Sequence, residues 1–61
     1  MNQDERRERY AVALYSTLGH SAERHPWVTL SPARREIWYV RADAAMAVAD
    51  SEIAEALRAS G

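Results

Sequence analysis

SPARREIWYVRADAAMAVADSEIAEAL, residues 31–57, is the stretch whose reading decides the fold. Ser31 supplies a hydroxyl for the unpaired N–H groups of a first helical turn, and Pro32 follows where a missing N–H costs nothing. From there Trp38, Ala42, Ala45, Met46, Ala49, Ile53, Ala56 and Leu57 recur at helical spacing along one face. Glu36, Asp43, Asp50, Ser51 and Arg58 are expected largely opposite. Neither Gly nor Pro occurs between residues 33 and 60, so the pattern predicts one helix over 32–58. Asp50 and Ser51 are both N-capping types, and a break there would leave a short third helix; the unbroken phase of the apolar face favours continuity.

Upstream, NQDERRER at residues 2–9 starts with a capping Asn2 and places Asp4 and Glu5 where a helix dipole favours acids. Acids and arginines alternate there as a solvated surface, with Glu5 and Arg9 spaced for an i,i+4 pair. Tyr10, Ala11, Leu14 and Leu18 then share one side, and Gly19 is a natural terminator, giving a helix over 3–18. Tyr15 is expected at the edge of the core. Residues 19–31 form a loop, with His25 biased towards extended backbone by Pro26. Trp27 and Leu30, joined by Val28, are expected to fold back and close the core.

The architecture expected is therefore an all-α helical hairpin, a single small domain over 1–61. Its core would comprise Tyr10, Leu14, Leu18, Trp27, Leu30, Trp38, Ala42, Ala45, Met46 and Ala49. So short a chain is near the limit for self-supporting cores, and with no cysteine it has no disulfide or thiolate metal site to help. Self-association, as a helical bundle dimer, is the remaining common remedy. The longer helix should outrun its companion, so the expected interaction face is Trp38, Ala42, Ala45, Met46, Ala49, Ile53 and Leu57.

Eight arginines against nine acids leave a net charge of -1, which disfavours a general polyanion binder. Arg34, Arg35 and Arg41 nevertheless open a helix beside Trp38 and Tyr39 and are the candidate contacts if the chain binds DNA. His20, Glu23 and His25 are too sparse a set for a metal. No nucleophile–base pair, carboxylate cleft or phosphate-cradling loop is apparent, so neither an enzyme nor a cofactor is expected. Nothing resembles a membrane span or export signal, and a cytoplasmic protein is the expectation.

The segment Trp27–Ala49, an aromatic, Leu-Ser, a charged run, Trp and an Ala-rich helix, resembles short helical proteins encoded by bacteriophages of actinobacteria, a group with no assigned activity. Trp27, Leu30, Ser31, Glu36, Trp38 and Ala42 are the matching positions. The arginine-only, alanine-rich composition agrees with a high-GC origin. The resemblance implies a phage accessory protein that binds host or phage components inside the host. No catalytic or ligand residue carries over.

Overall fold

In the computed structural model, which describes residues 2–60, the chain runs α1 (Gln3–Ser16), α2 (His20–Arg24), a 3-10 turn (Trp27–Thr29) and α3 (Pro32–Ser60). The two long helices start where their caps predict. The Asn2 side chain accepts the Glu5 N–H at 2.8 Å, and the Ser31 hydroxyl accepts the Arg34 N–H at 3.3 Å. At its other end α1 stops two residues before the expected Leu18. Thr17 caps it with both backbone N–H and hydroxyl donating to the Leu14 carbonyl, which diverts the last turn from α-helical bonding. The expected open loop is itself mostly helical, and Gly19, at φ 63, makes the left-handed step between α1 and α2.

α3 is unbroken through Asp50 and Ser51. A carboxylate caps a fresh helix only if it turns back on the backbone; the Asp50 side chain instead accepts two hydrogen bonds from the Arg6 guanidinium. That contact also sets the topology. Arg6 of α1 meets Asp50 at one end and Tyr15 meets Trp38 at the other, so the helices pack antiparallel.

Two alanines sit where these helices press together: Ala11 and Ala42 are both 0% exposed, with Tyr15 and Met46 completing the buried set. Tyr10, Leu14, Trp27, Leu30, Trp38, Ala45 and Ala49 are half-buried around them. Three residues depart from expectation. Tyr15 is central rather than peripheral, because its hydroxyl donates to the His25 carbonyl and so can be taken inside without an unpaired group. Leu18 and Val28 are exposed, the first because α1 ends before reaching it and the second because the 3-10 turn points it outward.

At 1.5 Å per residue α1 is about 21 Å long and α3 about 44 Å. The molecule accordingly measures 47 × 21 × 18 Å. Its radius of gyration is 14.1 Å, against about 10.5 Å for a compact chain of this length. It exposes 4750 Å², roughly 750 Å² more than a typical folded monomer of its mass.

Candidate interaction surface

Trp38, Ala42, Ala45, Met46 and Ala49 are turned towards α1, and the stripe they form runs on past its end. Every residue from Ser51 to Ser60 is exposed, including Ile53 (56%) and Leu57 (69%). Of the seven residues expected to form an interaction face, five are thus spent on α1, and Ile53 and Leu57 are left for another chain.

What holds α1 in register is charge. Arg6 grips Asp50 with Nη2–Oδ1 at 2.8 Å and Nη1–Oδ2 at 3.3 Å; Arg7 grips Asp43 at 2.8 and 2.9 Å, with Glu36 at 3.9 Å. Bidentate guanidinium–carboxylate pairs are directional, so two of them fix the slide and rotation of α1, although exposed pairs contribute little net stability. Arg6 holds the Asp50 carboxyl below its usual range and is itself raised in return by that hydrogen bond. Arg7 is likewise raised, chiefly by Asp43. Arg7 also lies over Tyr39 at 4.8 Å and Arg6 over Tyr10 at 5.4 Å. Glu36, Asp43 and Asp50 therefore flank the packed face instead of lying opposite it, and the amino-terminal turns are a clamp rather than a freely solvated surface. Among the described residues Glu5 forms no ion pair with Arg9.

At the closed end Trp27 folds back as expected. Its ring meets Tyr15 edge-on at 5.7 Å and Tyr39 at 5.7 Å, while Tyr15 meets Trp38 at 5.4 Å. Its indole N–H points at Glu8 across 3.4 Å. Such edge-to-face pairs each contribute about 0.5–1.5 kcal/mol beyond area burial, so this cluster locks the hairpin end.

Of the arginines considered for DNA, Arg34 and Arg41 stand two turns apart on one face of α3, and Arg35 is turned away from them towards Trp27. Arg35 lies over Trp27 at 5.6 Å and donates to the Val28 carbonyl at 3.0 Å, with its Nε buried and unpartnered. Arg41 stacks on Trp38 at 4.5 Å. Arg34 edges an open groove of about 320 Å³ between Leu18, Leu30, Ile37 and Trp38. His20 and Glu23 approach to 3.5 Å on the surface, and no group of three potential metal ligands occurs among the described residues. No described helix is long and apolar enough to cross a membrane.

A second apolar face of α3 went unread in the sequence. Ile37 (55%), Val40 (59%) and Val48 (59%) are exposed, with Ala44, Ala47 and Ser51 exposed between and beyond them. Residues 37, 40, 44, 47 and 51 alternate spacings of three and four, which was the available signal. It was masked by the richer Trp38–Leu57 stripe on the same helix. No protein-family model, curated protein or solved structure matches the chain.

Proposed function

We propose that the protein is a small non-enzymatic interaction module whose working element is α3. It self-associates through the Ile53/Leu57 end of the helix and, by the resemblance of Trp27–Ala49, serves as a bacteriophage accessory protein that binds host or phage components in the host cytoplasm. The observation that carries this reading is the projecting carboxy-terminal third of α3. Its apolar stripe keeps the phase of the α1-facing face after α1 has ended, and fully covering Ile53 and Leu57, which are 56% and 69% exposed, recovers about 1–2 kcal/mol for each.

Light scattering at tens of micromolar tests it: Ile53→Asp is expected to reduce the assembled mass, and an unchanged mass refutes self-association through this end. In the same samples duplex DNA at low salt is expected to show no retardation. A shift that Arg34→Ala with Arg35→Ala abolishes, and that salt weakens steeply, would transfer the assignment to DNA binding through Arg34, Arg35 and Arg41.

A further inference from the structure

The exposed face Ile37–Val40–Ala44–Ala47–Val48–Ser51 lies across α3 from α1 and is separate from the Ile53/Leu57 end. Val40 and Val48 stand four residues to either side of Ala44, and Ile37 and Ser51 seven, while the counterpart of Ala47 is Arg41 on the flank. In a two-fold antiparallel pair each residue before the axis meets one equally far beyond it, so an axis at Ala44 sets Val40 against Val48 of the partner subunit and Ile37 against Ser51 of the partner subunit. Ala44 on the axis and Ala47 beside it present no bulk, so two helices can approach to about 8 Å.

The charges on one flank agree. Arg34, ten residues before Ala44, lies in the helical sector of Glu52, eight residues after it, with Glu55 one turn further on. In an antiparallel pair centred on Ala44 like flanks face each other. Arg34 then falls level with the interval between Glu52 and Glu55 of the partner subunit, twice by symmetry. None of these three side chains forms an ion pair within the chain among the described residues. Asp43, the acid nearest the axis, is already neutralised by Arg7 at 2.8 Å. A parallel pair would instead set Arg34 beside Glu36 of the partner subunit, an acid that already has Arg7 within 3.9 Å.

We infer that a second copy of this chain covers this face, α3 against α3, antiparallel about Ala44, with Arg34 paired to Glu52 or Glu55 of the partner subunit. This interface stands whether or not the Ile53/Leu57 end self-associates.

The test removes that other end first. With both interfaces working the parent assembles beyond a dimer, and Ile53→Asp is expected to bring it down to about 14 kDa, twice the 6.9 kDa monomer, and no further. Adding Val40→Glu and Val48→Glu is expected to bring it to 6.9 kDa with the far-ultraviolet helical signal of the hairpin retained, since both positions are exposed in the single chain. Ala44→Glu, at the axis, gives a second variant with the same expectation. The chain has no cysteine, so orientation can be read by oxidation. Ile37→Cys and Ser51→Cys chains are expected to crosslink when mixed and not when each is alone. A 6.9 kDa mass for the Ile53→Asp chain, or crosslinking of each cysteine chain with itself, overturns the proposal.

Discussion

Ala11→Leu puts the packing of α1 on α3 to a quantitative test. Ala11 and Ala42 are both 0% exposed and lie at the same level of the hairpin, between the Arg7–Asp43 pair and the Tyr15–Trp38 contact. Leucine adds an isopropyl group to the alanine methyl where there is no space, and the contacts on either side limit how far the helices can separate. Overpacking of this kind costs about 1–3 kcal/mol. Leucine and alanine have similar helix propensity, so the cost measures packing alone. For a chain this short each kcal/mol shifts the midpoint by about 4–8 °C, giving an expected fall of at least about 4 °C and up to about 24 °C. The assay is circular dichroism melting at one protein concentration, since assembly itself makes the midpoint concentration-dependent. Ala54→Leu, on the exposed projecting end, is the control and is expected to melt with the parent. Ala42→Leu is expected to cost about as much as Ala11→Leu, and the double variant less than the two costs added, because helices already forced apart accommodate the second branch. An Ala11→Leu chain that melts with Ala54→Leu would show that the helices do not meet at these alanines.

Trp27→Ala, which removes the ring shared by Tyr15 and Tyr39, is expected to cost about 2–3 kcal/mol in the same melts, below the range for a fully buried Trp because this one is half-exposed. Val28→Asp, next to it and 79% exposed, is expected to stay within about 0.5 kcal/mol of the parent; a larger loss would place Val28 in an interface. Asp50 gives a pH signature. Its carboxyl is held below the usual range by Arg6, so its ionised form stabilises the fold above the unfolded value near pH 4, and that contribution is lost as pH falls through the lowered folded value. Parent and Asp50→Asn midpoints are therefore expected to differ at pH 6 and to converge towards pH 2, whereas a constant gap would mean that the Arg6–Asp50 pair does not form in solution.

Local signals carried the helices well. Asn2, Ser31 and Pro32 each act on their own first turn, and their chemistry reads directly as a helix start. Continuity at Asp50 was legible from phase, although its cause, a hydrogen bond from Arg6 forty-four residues away, was not. The same distance effect hid the clamp. A run of alternating charges reads as solvated until the partner acids at 43 and 50 are brought alongside. Tyr15 was underestimated because burying a phenol needs an acceptor, and the His25 carbonyl becomes one only after the connection folds back. For the candidate surface, Ile53 and Leu57 followed from comparing two helix lengths. The Ile37–Val48 face did not, because periodicity identifies a helix by its strongest stripe, and α3 carries two.

The projecting end of α3 has a consequence for how its backbone behaves over time. Ten residues of helix are too few to persist in water by themselves, because isolated helices shorter than about 12–15 residues are marginal. Residues 51–60 therefore borrow their order from the turn anchored at Asp50, with the Ser60 hydroxyl closing back on the Ala56 carbonyl at 2.9 Å. Amide deuteration should proceed from the tip inward, fastest near Ser60 and slowing turn by turn towards Glu52, while Ala42 and Met46 exchange last. Any chain that seats on Ile53 and Leu57 should reverse that gradient, and the fraying tip then becomes a built-in reporter of occupancy.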